Sequence, residues 1–240
     1  MFLYGVEITL LISLTGTIAG FLIGLCAGIV RTIPVRKNDG ILKRAFFAVV
    51  NFLIVAYIEI FRGTPMIVQA MVVYYGVPII FGIYIPAISA GILIVSINTG
   101  AYMAEIIRGG IISVEKGQFE AAHSLGMTHW QTMVRVILPQ AIRNVLPAIG
   151  NEFVINIKDT SVLNVISVTE LFFQSKSVAG INFRYFEVFF ITCVIYFIIT
   201  FTVTRILRWF EHILDGNSTY TIHGSQTAPE SEIKVTEDVL

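Results

Sequence analysis

Charge is scarce in this chain. Asp, Glu, Lys and Arg make up 13% of its 240 residues, about half the share of an ordinary soluble domain. With 55% hydrophobic residues and a mean hydropathy of +0.80, that deficit excludes a soluble enzyme and places the chain in a bilayer. Cysteine is nearly absent. Cys26 and Cys193 both lie in apolar runs, which gives no disulfide framework and no metal site. Histidine offers little more: His123 and His129 fall in a polar stretch and His212 and His223 near the C-terminus, none opposite a carboxylate. A membrane-embedded protease or metalloenzyme therefore finds no support. No GxxxxGK[ST] phosphate loop occurs, so the chain has no P-loop of its own. A basic n-region is also missing before the first apolar run, which is too long for a signal core and is expected to remain as an anchor.

The formal net charge of +0 conceals an asymmetry. From residue 211 onward, Glu211, Asp215, Glu230, Glu232, Glu237 and Asp238 stand against Lys234 alone, so the rest is net basic. Residues 210–240 read as an acidic, disordered cytoplasmic tail, and residues 1–209 as one transmembrane domain.

Leu3–Val30 is apolar, with Gly16, Gly20, Gly24 and Gly28 spaced by four along one helix face, a stripe suited to close helix packing. Arg31–Arg44 is short and basic and is expected in the cytoplasm, which puts the N-terminus outside. Gly63-Thr64-Pro65 then divides an apolar stretch. Thr64 reads as an N-cap and Pro65 as a first helical residue. Two full crossings here would put the next polar loop on the wrong side. Ala45–Phe61 is therefore read as interfacial or partly inserted, Pro65–Phe81 as the second span and Pro86–Ile107 as the third. Ile142–Ile157 is only moderately apolar and carries Glu152 and Asn156, with Lys158-Asp159-Thr160-Ser161 after it. Glu152, Asn156 and Asp159 recur at helical spacing and are expected to share a face lining a polar pathway, because ionisable groups in lipid must face protein or water. The open alternative is that residues 158–161 simply cap a helix at the surface. Asn98 likewise serves either the pathway or helix packing. An outer-face helix is expected near Val165–Phe173, and Phe183–Arg208 is the last of about five spans.

The longest polar interruption, Val114–Val145, reads as a knob of helix, tight stop and helix. Glu120, Ala121 and Ala122 are good helix formers, Gly126 sits where a left-handed stop is needed, and Thr128 with Gln131 has capping-box form. EAAHSLG followed by ILPQA, together with FRGTP, NTGAYMAEIIRGGI and NEFVINIKDTS in the same order, resembles the permease subunits of ATP-binding-cassette importers, and most closely their polar amino-acid branch. The resemblance reaches to about Arg208; the tail is not part of the pattern.

That resemblance implies an all-α membrane protein of the type I importer permease fold, with about five transmembrane helices and a cytoplasmic coupling helix at about 117–127. It implies a non-enzymatic pore subunit of a bacterial cytoplasmic membrane that moves a polar amino acid by alternating access. The expected partners are two ATPase subunits holding ATP and Mg, a second permease subunit (identical or not), an extracytoplasmic binding protein, the amino-acid substrate and the lipid bilayer. Nucleic acid is not among them, and the chain itself needs no cofactor. Coupling residues are expected to be Glu120, Ala121, Ala122, Ser124, Leu125 and Gly126. Pathway residues are expected to be Gln69, Asn98, Tyr102, Glu152, Asn156, Lys158, Asp159, Thr160 and Ser161. The competing class is an ion-coupled secondary transporter or channel using Glu152 and Asp159, although internal repeats and paired broken helices are not seen.

Overall fold

The computed structural model describes residues 1–33, 40–215, 221–223 and 232–234. The described chain is helical apart from two three-residue strands: α1 Phe2–Thr32, α2 Ile41–Gly63, α3 Met66–Phe81, α4 Ala87–Ser113, α5 Lys116–Ser124, α6 His129–Thr132, α7 Leu138–Asp159, α8 Leu171–Asn182 and α9 Tyr185–Asp215. By length and apolarity, α1, α2, α4 and the Tyr185–Ile213 part of α9 are able to cross a membrane, and α3 is a shorter apolar helix.

The glycine stripe decides how α1 lies. A Cβ on Gly20 would come within 2.7 Å of Thr99, and one on Gly28 within 3.0 Å of Ile107, while Gly16 and Gly24 meet Val95 and Met103. Both series advance together by four, so α1 and α4 run parallel with their backbones in close approach. Glu105 fastens the same pair near the knob, taking Arg31 on one oxygen and the Arg108 guanidinium on the other at 2.8–3.0 Å.

Parallel α1 and α4 require the segment between them to make one return. The structure supplies it as a broken traverse. Tyr57 donates to the Ile97 carbonyl and Ile58 packs on Ala27 and Ala104, so the end of α2 lies beside the middle of α4. From there α3 continues along the far half of α4, its Val73 and Tyr74 packing on the cluster of Ile8, Ile12, Ile94 and Leu163. The partly inserted alternative for Ala45–Phe61 fits this path, although α2 is itself long and apolar enough to span. The break also differs from the expected capping. Pro65 is the N-cap and Met66 begins the helix, because the Thr64 hydroxyl turns back to the Ile60 carbonyl at 2.7 Å.

At the knob, Gly126 adopts φ +74. Its N–H bonds the His123 carbonyl and the Met127 N–H the Ala122 carbonyl, a Schellman stop that requires a left-handed residue. The Thr128–Gln131 capping box forms in both directions. A π-helical turn, Met133–Ile137, then leads into α7. Pro139 explains it: a proline removes one backbone donor and crowds the preceding turn, and a wider turn absorbs both.

Beyond α7, a 3-10 helix at Thr160–Ile166 ends at Ser167, and the expected outer helix is shifted to α8. Glu170 sets its start. Its two oxygens accept the N–H groups of Phe172 and Phe173, each at 2.7 Å, as a helix N-cap does. The last helix also outruns expectation, since residues 210–215 belong to α9 rather than to a tail. Strands β1 Thr221–His223 and β2 Glu232–Lys234 pair antiparallel. The other residues assigned to the disordered tail lie outside the described ones.

Candidate functional site

The site is built where the broken traverse faces the polar helix. A cavity of about 380 Å³ is lined by Arg62, Gly63, Thr64, Pro65 and Met66 from the α2–α3 break, Asn98 and Tyr102 from α4, and Glu152, Ile155 and Asp159 from α7. Its wall brings one guanidinium and two carboxylates around a space of small-solute size. The Arg62 guanidinium lies over the Tyr102 ring, 5.4 Å from its centroid. A cation stacked in this way keeps its N–H edge available to a carboxylate.

Of the expected pathway residues, Asn98, Tyr102, Glu152 and Asp159 come together at this cavity. The others stand elsewhere. Asn156 is buried where α1, α4 and α7 meet, its Nδ2 donating to Thr17 Oγ1 at 2.8 Å and Thr99 Oγ1 at 3.0 Å. The cavity face of α7 thus runs through residues 152, 155 and 159, and Asn156 is the neighbouring position turned into the packing. Lys158 is exposed and is not part of the wall. Thr160 is buried with its hydroxyl on the Ile157 carbonyl, and Ser161 is half-buried with its carbonyl accepting from Asn164. Neither lines the cavity, and the burial of Thr160 is at odds with a cap at the surface. Gln69 is buried beside the cavity without lining it.

Arg62 is the residue that sequence reasoning missed. It stands in FRGTP with no role read for it, although an isolated arginine between apolar segments is itself a sign of function. Gly63, Thr64, Pro65, Met66 and Ile155 carried no comparable sign, because they reach the cavity through the geometry of the break and of α7.

On the knob, Glu120, Ala121, Ser124, Leu125 and Gly126 are exposed, as a docking surface requires. Ala122 is not. It is 4% exposed and turned towards its own chain, where neighbouring Phe119 packs against the cluster that includes Val114 and Met133, so it seats the knob rather than offering it. Trp130, 66% exposed, extends the apolar part of the knob surface beyond Leu125. Among the described residues, no cluster of His, Cys, Asp or Glu is arranged to hold a metal ion.

Comparison with known proteins gives a consistent picture. Residues 40–214 match the family described as "Binding-protein-dependent transport system inner membrane component". The glutamine transport system permease protein GlnP of Escherichia coli (strain K12) is 40% identical over 208 residues, covering 86% of this chain and 90% of GlnP. A crystal structure titled as an amino acid ABC transporter with histidines superposes with a TM-score of 0.76 at 39% identity, covering 88% of this chain and 93% of that one. The inward-facing MetNI methionine ABC transporter, at 20% identity and a TM-score of 0.67, shares the fold. The ion-coupled reading gains no observation from any of these. With its helices arranged as a type I importer permease, this multi-pass membrane chain belongs to the family of binding-protein-dependent transport system inner membrane components.

Proposed function

We propose that this chain is the pore-forming permease subunit of an amino-acid ABC importer, and that the cavity between the α2–α3 break and α7 holds the solute during alternating access. The observation that carries the reading is the placement of Arg62 with Glu152 and Asp159 around one cavity beside the middle of α4. A guanidinium binds an α-carboxylate through paired N–H bonds, and carboxylates receive an α-ammonium group. Arg62, rather than the exposed Lys158, supplies the cation. With one cation facing two carboxylates, the wall favours zwitterionic or cationic amino acids over acidic ones.

The chain makes no use of a nucleotide of its own. Two ATPase subunits, holding ATP and Mg, dock on the knob at Glu120, Ala121, Ser124 and Leu125. A second permease subunit completes the pore, and an extracytoplasmic binding protein delivers the solute. The N-terminus lies outside the bacterial cytoplasmic membrane and the C-terminus in the cytoplasm. The relative named for glutamine transport supports a polar amino acid as cargo.

The test is uptake of labelled glutamine by proteoliposomes holding the permease, its ATPase and its binding protein, with unlabelled glutamine, arginine, histidine and glutamate as competitors. Arg62→Ala and Glu152→Gln are expected to lower uptake at least tenfold with the complex intact. Normal uptake by both variants would remove the cavity from the pathway.

A further inference from the structure

The α2–α3 break leaves backbone acceptors that the helices cannot satisfy. In a continuous helix the Phe61 carbonyl would receive the N–H of residue 65, but that residue is proline and has none. The Thr64 carbonyl would receive the N–H of Val68, which instead bonds the Pro65 carbonyl at 3.0 Å. One side chain serves both. Gln69 Nε2 lies 2.9 Å from the Phe61 carbonyl, 2.9 Å from the Thr64 carbonyl and 2.9 Å from the Thr64 hydroxyl. At its other end, Gln69 Oε1 accepts from Asn98 Nδ2 at 2.9 Å, and Asn98 Nδ2 also reaches the Phe61 carbonyl at 3.3 Å. Gln69 is 7% exposed, so water does not compete well for these groups.

We propose that Gln69 is a positioning residue for the cavity: its carboxamide holds the α2–α3 corner and thereby aims Arg62, Thr64 and Asn98 at the solute. The proposal rests on the cavity being the solute site. No other side chain of this size does the same work. Glutamate in ionised form has acceptors only and would face two carbonyl oxygens. Leucine fills the volume but leaves those carbonyls bare and takes the acceptor from Asn98. Asparagine keeps donor and acceptor but is one methylene shorter, so it cannot bridge both ends. Holding the corner in advance matters because a guanidinium fixed before binding loses less freedom when the solute arrives.

The experiment measures the corner and the solute separately in the reconstituted permease–ATPase complex. Spin labels replace Leu53 on α2 and Val72 on α3, both exposed, and pulsed electron paramagnetic resonance gives the distribution of their separation. Gln69→Leu is expected to widen or shift that distribution. It is also expected to raise the solute concentration for half-maximal uptake at least tenfold, with hydrolysis of ATP in the absence of solute within twofold of the parent. An unchanged distribution overturns the proposal, and so does a widened one with unchanged half-saturation. If Gln69→Leu fails to assemble with the ATPase, Gln69→Asn is read by the same criteria. Arg62→Ala, measured alongside, isolates the cavity reading: unchanged half-saturation there defeats the cavity as solute site while the corner measurement stands.

Discussion

The guanidinium carbon of Arg62 lies 5.4 Å from the centroid of the Tyr102 ring, joining the end of α2 to the middle of α4 at the cavity wall. Arg62→Lys keeps the charge but loses the planar fork and its stacking. A stacked pair of this kind contributes roughly 0.5–2 kcal/mol, so Tyr102→Leu is expected to weaken uptake about two- to thirtyfold. Tyr102→Phe keeps the ring face and is expected to stay within about threefold of the parent. Uptake kinetics in proteoliposomes check the order: Tyr102→Phe mildest, Tyr102→Leu and Arg62→Lys intermediate, Arg62→Ala most severe.

The α1–α4 seam predicts a stability defect with no direct effect on solute. A side chain on Gly20 would meet Thr99 at 2.7 Å and the Gly100 backbone at 3.1 Å. Overpacking of this kind costs about 1–3 kcal/mol, and the Gly100 backbone beside Thr99 leaves little room to relax. Gly20→Val is expected to lower the thermal midpoint of the purified chain. Gly109→Val, where a Cβ meets nothing within 4 Å, is the control and is expected to change it little.

At the knob, inward and outward residues should separate by phenotype. Gly126→Val forces a branched side chain to φ +74 and costs roughly 1–2 kcal/mol or more, misdirecting the chain between α5 and α6. Leu125→Ala and Glu120→Lys alter exposed positions and are expected to reduce solute-stimulated ATP hydrolysis while the chain's abundance holds. Ala122→Leu is expected to do the reverse, lowering abundance by unseating α5. Hydrolysis assays and quantitative immunoblotting distinguish them, and full stimulation by both outward variants would make the knob a plain loop.

Topology is checked from intact cells with a membrane-impermeant thiol reagent, in a parent lacking Cys26 and Cys193. Tyr84→Cys, between α3 and α4 at an exposed position, is expected to label. Ser124→Cys on the knob is expected to label only after the membrane is opened. The reverse pattern would invert the chain.

A pH dependence follows from Glu170, which lies between the spans at the junction of α1, α8 and α9. Burial pushes its carboxyl up to about 7, against the opposing pull of the Phe172 and Phe173 N–H groups and the Tyr196 hydroxyl. A folded value above the unfolded one means that the native state holds the proton more tightly. Its contribution to stability is therefore fully present below about 4.5 and is lost as pH rises through about 7. The thermal midpoint is expected to fall between pH 5 and pH 8. In Glu170→Gln, whose carboxamide does not titrate and keeps one of the two cap acceptors, that slope is expected to flatten.

What the sequence determined by itself was set by local chemistry and by period. The glycine stripe, the Gly126 stop, the Thr128 capping box and the apolar lengths of α1 and α4 each depend on residues close together in the chain, so they were legible without a partner. The parity argument for a single return also held, because α1 and α4 do run parallel. The tertiary structure decided which side of a helix meets what. Glu152, Asn156 and Asp159 share a helical face at the resolution of a periodicity, yet only packing against Thr17 and Thr99 turns Asn156 out of the cavity face. Ala121 and Ala122 read alike, and the contact of α5 with its own chain separates them. Arg62 shares a cavity with Glu152 and Asp159 only because the helix breaks at Pro65 beside the middle of α4. Those relations join residues far apart in sequence, and their angles come from the filling of space between helices, which no single segment encodes.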